Sequence, residues 1–183
     1  QFAPVALPHT WNALDGQDGG ADYWRGIATY KIDLPNPTKG LKEFLLAVKS
    51  KGIKIGLVTS GLDYKAIPEI VAVFRSLGMG DPLKFYDAII TGGHRKDTHE
   101  YGTLGEIAAK PHPWVYTEVA YMGLKVKDAS KVIGIEDSAA GVLALRFAGF
   151  PVIGVQEGNI AKSGLDCLCA KKVDDLRELI DLL

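Results

Sequence analysis

The sequence predicts an α/β fold, with a parallel sheet covered by helices on both faces and about 35 residues of β or irregular character ahead of it. Three observations predict it. The chain changes character near residue 36, after "PNP". Beyond that point helix-period and strand-like segments alternate to the end. The strand segments are runs of Val and Ile rather than apolar–polar alternations, which is the pattern of strands buried on both faces. At 183 residues and 47% hydrophobic, the chain can bury a full core.

Each element has a local reason. In "TKGLKEFLLAVKSKG" (38–52), Leu41, Phe44, Leu45 and Val48 fall at helical spacing, with Gly52 beyond the end. "IKIGLVTS" (53–60) reads as a buried strand. "YKAIPEIVAVFRSLGM" (64–79) reads as a helix, with Pro68 in its first turn or kinking it. "YDAIIT" (86–91) is a strand. "PWVYTEVAYMGL" (113–124) is a helix with Pro113 suited to the first turn. "KVIGIED" (131–137) is a strand, "SAAGVLALRFAG" (138–149) a helix, "PVIGV" (151–155) a strand and "DCLCA" (166–170) a short strand. "VDDLRELIDLL" (173–183) closes as a helix. The strands near residues 52–58 and 131–135 are expected in one sheet.

Composition excludes several function classes. A net charge of −1 gives no field for nucleic acid. No apolar stretch approaches the roughly 20 residues of a membrane span, and no basic-then-apolar leader opens the chain. Cys167 and Cys169 read as two residues on one face of a strand; a metal or redox role needs partners that the pair alone does not supply. Without a disulfide pattern the expected setting is cytoplasmic. The oligomeric state is not legible.

Ligands of open parallel sheets bind beyond the carboxyl ends of the strands. After "IKIGLV" come Thr59, Ser60 and Gly61, a hydroxyl and free backbone N–H groups suited to a phosphate. Lys110, just before a helix, can act as a point cation toward phosphate. After "KVIGI" come Glu136 and Asp137, hard oxygen ligands suited to magnesium. Each has an ordinary alternative: a turn or cap for Thr59–Ser60, a solvated surface lysine, and an acid pair answering a helix dipole. Hydroxyl, lysine and acid pair on successive crossings are together the parts of a phosphoryl-transfer site. These four positions, Thr59, Lys110, Glu136 and Asp137, are expected to converge on one pocket.

Those residues carry a resemblance. "IKIGLVTSG", "AKPHPWVY" and "VIGIEDSAAGVLALRFAG" resemble the second, third and fourth motifs of the haloacid dehalogenase superfamily, in its beta-phosphoglucomutase-like branch. The likeness runs from about residue 37 to 183. It implies a Rossmann-like core, a magnesium ion at Glu136 and Asp137, and catalytic or substrate-binding roles for Thr59 and Lys110. Ser60 and Gly61 join them around the phosphate of a small phosphorylated substrate, commonly a sugar phosphate. The family's first motif, a strand ending in Asp-x-Asp-Gly-Thr that supplies the nucleophile, is not recognisable, nor is a cap domain. Asp33 in "YKIDLPN", and Asp15 and Asp18 in "LDGQDGG", are the poor substitutes. The first-motif strand is normally central, so its loss is expected to leave a gap, which "IATYKIDL" could fill.

Residues 1–35 resemble a different family. "LPHTWNALDGQDGGADYWRGIATYKIDLP" is similar to the start of the sugar-binding domain of glycoside hydrolase family 2, the beta-galactosidase group. A piece this short cannot bury a sandwich core, so His9, Trp11, Tyr23 and Trp24 read as packing or remnant residues rather than a sugar site. The expected organisation is therefore a fragment over 1–36 and a core over 37–183. Between "YDAIIT" and Lys110, a long loop carries His94, Arg95, Lys96 and His99, which read either as substrate-reading groups or as ordinary surface charges. Two functions follow: a magnesium-dependent phosphatase or phosphomutase impaired by the absent nucleophile, or a non-catalytic chimeric or truncated protein that retains phosphate or carbohydrate binding.

Overall fold

The computed structural model describes residues 37–61, 63–91, 108–155 and 158–183. The residues named above within 1–36, and the loop histidines and basic residues at 94–99, lie outside them.

The first described helix, α1 (Leu41–Ser50), forms where the apolar spacing predicts it and buries Phe44, Leu45 and Val48. Strand β1 (Gly56–Val58) is the short regular part of "IKIGLVTS". Helix α2 (Asp63–Ser76) holds Pro68 inside it, beyond the first turn. A short helix, α3 (Pro82–Phe85), starts at Asp81, whose side chain accepts from Leu83 N. Strand β2 (Ala88–Ile90) follows. Helix α4 (Trp114–Thr117) continues as a π-helix over Glu118–Gly123. Then come β3 (Gly134–Glu136), α5 (Ala139–Phe147), β4 (Val152–Val155), the one-turn α6 (Ile160–Ser163), β5 (Lys171–Val173) and a closing 3-10 helix, Leu176–Leu182.

Two local expectations change. "DCLCA" is not a strand: Leu165–Leu168 is a 3-10 turn, and the strand forms later, at Lys171–Val173. Gly164, in the left-handed region, ends α6 and starts that turn at once, which leaves no room for extended chain at the cysteines. The same-face reading of Cys167 and Cys169 goes with it; both are free thiols, the first exposed and the second partly buried.

All strand pairings among the described residues are parallel. β1 pairs with β2, in register Gly56↔Ala88 through Val58↔Ile90, and Thr59 N adds one bond to Ile90 O at 3.0 Å. β3 pairs with β4, and β4 with β5. The described strands thus form two sheets, β1-β2 and β3-β4-β5, not the single one expected for residues 52–58 and 131–135. Within the described residues, β1 and β3 each have one neighbour, on opposite sides of the break.

Both halves still belong to one layered architecture, because two hydrophobic cores straddle the break. One joins Ala88 and Ile90 of β2 to Val152 of β4 under Val115, Tyr116, Val119, Val142 and Leu145 of the α4 and α5 segments, with Val58 of β1 packed against it. The other joins Phe44, Leu45 and Val48 of α1 and Phe74 of α2 to Ile153 and Val155 of β4 and Leu176 and Leu179, with Ile55 and Ile135 against it. Strand alternation produces the two faces: Val152 looks to one core and Ile153 to the other. The result is a mixed α/β, Rossmann-like fold with parallel strands between two helical layers.

Candidate active site at the carboxyl ends of the strands

The same alternation fixes Glu136. Gly134 and Glu136 share a face of β3, the one toward α4 and α5: a Cβ at Gly134 would run into Leu145 of α5. Glu136 therefore enters the layer between sheet and helices at the carboxyl end of its strand, and it is only 8% exposed. A buried carboxylate survives only if its lone pairs are met. Here they are. Oε1 accepts from Lys110 Nζ at 2.5 Å and from the Tyr116 hydroxyl. Oε2 accepts from Ser138 Oγ at 2.9 Å and from the backbone N–H groups of Asp137 and Ser138 at 3.2 Å each. The last three belong to the start of α5, where Ser138 is the N-cap and its Oγ accepts from Gly141 N. The glutamate thus lies on the positive end of a helix as well as on an ammonium.

This close approach requires glycine at 141: a Cβ there would fall on the Glu136 carboxylate. Burial pushes the Glu136 carboxyl up; the Lys110 ammonium and the hydrogen bonds from Lys110, Tyr116 and Ser138 outweigh it and hold the group below the usual glutamate range. Burial, with the Glu136 charge beside it, pushes the Tyr116 phenol far up, so it stays a donor.

Lys110 precedes α4, in a segment whose Lys110–Pro111 bond is cis. Its side chain is 10% exposed, and its ammonium also lies 4.9 Å from the centre of the Tyr116 ring, within cation–π range. Among the described residues the ammonium, which carries three N–H donors, donates to Glu136 Oε1.

Asp137, next to the buried glutamate, is exposed. Partial desolvation and then the Glu136 charge push its carboxyl above the usual aspartate range. A loop after β4 holds its backbone: Asn159 N donates to Asp137 O at 3.1 Å, while Asn159 Oδ1 accepts from Ala139 N at 2.7 Å. Only glycine fits at 158, where a Cβ would meet that same Asp137 carbonyl.

Thr59, Ser60 and Gly61 follow β1, in the other sheet. Thr59 Oγ1 accepts from Gly61 N at 3.1 Å, and a hydroxyl that accepts still carries an O–H donor. No hydrogen bond or ion pair among the described residues joins Thr59–Gly61 to the Lys110–Glu136 cluster; what they share is the core beneath, through Val58 and Tyr116. The described residues hold no group of three or more potential metal ligands. Of the acid pair, Glu136 has its oxygens fully engaged, while Asp137 has an exposed carboxylate whose ionisation its neighbour disfavours. Asp137, the exposed carboxylate, is therefore the member of the pair that could offer an oxygen to magnesium.

Tyr116, Ser138, Gly141 and Asn159 were not among the residues singled out in the sequence. Ser138 at the head of an apolar helix run was the legible one, as an N-cap.

Comparison with known proteins decides the family. The family model of haloacid dehalogenase-like hydrolases matches residues 9–149, well over half of the chain. The chain belongs to that family. The match begins in the first 36 residues, ahead of the motifs recognised in the sequence. No curated protein matches. Among solved structures, this haloacid dehalogenase-like chain is similar to a Thermotoga maritima protein assigned as a beta-phosphoglucomutase, with 26% identity, a TM-score of 0.60, and coverage of 98% of this chain and 77% of the other. It is similar to the beta-phosphoglucomutase of Clostridium difficile, with 28% identity, a TM-score of 0.58 and coverage of 87% and 59%. A D,D-heptose 1.7-bisphosphate phosphatase from B. bronchiseptica, complexed with magnesium and phosphate, shares the fold at 23% identity and a TM-score of 0.55, with 78% and 80% covered. The chain thus spans 59% of the Clostridium protein's length and 77% of the Thermotoga one's. Members of the family generally use magnesium. Among the described residues no helix is long and apolar enough to cross a membrane.

Proposed function

We propose that this haloacid dehalogenase-like chain handles the phosphate of a small phosphomonoester, with sugar phosphates as the substrate class and magnesium as the cofactor. One observation carries the reading: a lysine ammonium, nearly buried at the carboxyl end of the strands, is held at 2.5 Å by one carboxylate and has an exposed second carboxylate beside that partner. A lysine held in place by one carboxylate, with N–H donors that this carboxylate does not use, is suited to an incoming phosphate oxygen. In this reading Lys110 neutralises the phosphate, and the Thr59 hydroxyl with the Ser60 and Gly61 backbone orients it. Asp137 contributes the metal oxygen, with Glu136 completing the acid pair. Magnesium would supply charge neutralisation to the phosphate oxygens. The likeness to two beta-phosphoglucomutases supports a sugar phosphate.

The nucleophile is unassigned. The sequence contains no Asp-x-Asp pair, and metal and lysine alone form no covalent intermediate. That observation favours a second reading, in which the chain binds phosphate without turning it over.

The test is release of inorganic phosphate from p-nitrophenyl phosphate and from a hexose phosphate, with magnesium or with EDTA. Magnesium-dependent release that falls about a hundredfold or more in Lys110→Ala supports catalysis. Phosphate binding without release supports the second reading. Neither binding nor release overturns both.

A further inference from the structure

We propose that Tyr116 is a positioning residue that acts through Glu136 to aim the Lys110 ammonium. The proposal rests on the phosphate-handling reading for its consequence, but its geometry stands apart from it. Tyr116 comes six positions after Lys110, on α4, and it meets the lysine in two ways. Its ring lies under the ammonium, 4.9 Å from centre to Nζ. Its hydroxyl donates to Glu136 Oε1, the same oxygen that accepts from Lys110.

An sp² carboxylate oxygen offers two lone-pair directions in its plane. Tyr116 fills one, so the lysine is restricted to the other. The far side of the carboxylate cannot compensate by turning, because Oε2 is held by Ser138 Oγ and by two backbone N–H groups at the start of α5. Gly141 closes the remaining space. Tyr116 itself is fixed by the core: it is 7% exposed and belongs to the same buried cluster as Val115, Val119 and Val142. On Glu136 the ammonium therefore has one hydrogen-bonded position. Phenylalanine at 116 would keep the ring and its packing but empty the second lone pair. The lysine would then have two positions on Oε1 rather than one.

The expected consequence is lost placement without lost fold. In lysine-selective ¹⁵N–¹H spectra of the full chain, an ammonium held in one hydrogen-bonded position gives a resolved signal, identified here by its disappearance in Lys110→Ala. The wild-type protein should show it, and Tyr116→Phe should broaden it beyond detection. Val119→Ala, which trims the same core without touching Glu136, should leave it in place; this variant separates positioning from loosened packing. In parallel, inorganic phosphate is titrated into each protein by calorimetry. Tyr116→Phe should weaken phosphate about tenfold, the scale of one hydrogen bond to a charged group, and Lys110→Ala should abolish binding.

A Lys110 signal unchanged in Tyr116→Phe overturns the proposal, as does its absence in the wild type or its equal loss in Val119→Ala. Failure of the wild type to bind phosphate counts against the functional reading alone, since the ammonium spectra still decide the placement.

Discussion

At the end of β3 a buried carboxylate collects five donors from the Lys110 segment, α4 and the start of α5. At the end of β1, Thr59 has one side-chain hydrogen bond among the described residues, accepted from the N–H two residues on, and Ser60 is exposed. Both strand ends carry polar residues suited to phosphate, yet they are built in opposite ways. A buried charge must be satisfied within the protein, so the lysine and its carboxylate are set in place before any ligand arrives. A hydroxyl and backbone N–H groups are content with water and can adjust when a ligand comes. The cation is the expensive group to place, and most of the local structure is spent on it.

The difference is broken most directly at Glu136. Glu136→Ala leaves the Lys110 ammonium nearly buried without its partner and should cost about 3–5 kcal/mol of stability, read from urea unfolding. A loss under about 1 kcal/mol would mean that the β3 end is no more rigid than the β1 end. Next comes Gly141→Ala, whose added methyl would fall on the Glu136 carboxylate; overpacking of this kind costs about 1–3 kcal/mol. Most of that cost should vanish in the Glu136→Ala background, because the clash is with that side chain, so a double-mutant cycle gives the coupling. Additive effects would show that the methyl disturbs α5 instead.

Acid sharpens the contrast further. The Glu136 carboxyl is held below the usual glutamate value in the fold. Its contribution is thus fully present above the ordinary value of about 4.3 and is lost as pH falls through the lower, folded one. Unfolding free energy should decline with falling pH in that window, by at most about 1.4 kcal/mol per pH unit for one proton. Glu136→Gln should remove this component of the slope, and an identical slope in the variant would reassign the acid sensitivity to other carboxylates. The smallest effect belongs to the β1 end: Thr59→Val should change stability by no more than about 0.5 kcal/mol while weakening inorganic phosphate severalfold. A large stability loss there would show that Thr59 is as locked as Glu136.

The sequence by itself determined the alternating α/β order, because apolar spacing and Val–Ile runs are local properties. Phe44, Leu45 and Val48 are buried where their spacing put them, and β1 through β4 form where such runs were read. It also singled out Thr59, Glu136 and Asp137 as polar residues directly after buried strands, and Lys110 as a lysine just before a helix. It misread "DCLCA", where a left-handed Gly164 turned the chain before a strand could start. Only the tertiary structure decided which acid does what. Glu136 and Asp137 are neighbours in sequence, but strand alternation turns the first into the layer between sheet and helices and leaves the second exposed. Tyr116 and Gly141 could not be found from sequence for the same reason. Their roles exist only because α4 and α5 pack against one face of β3, and a contact between elements 20 residues apart leaves no local pattern to read.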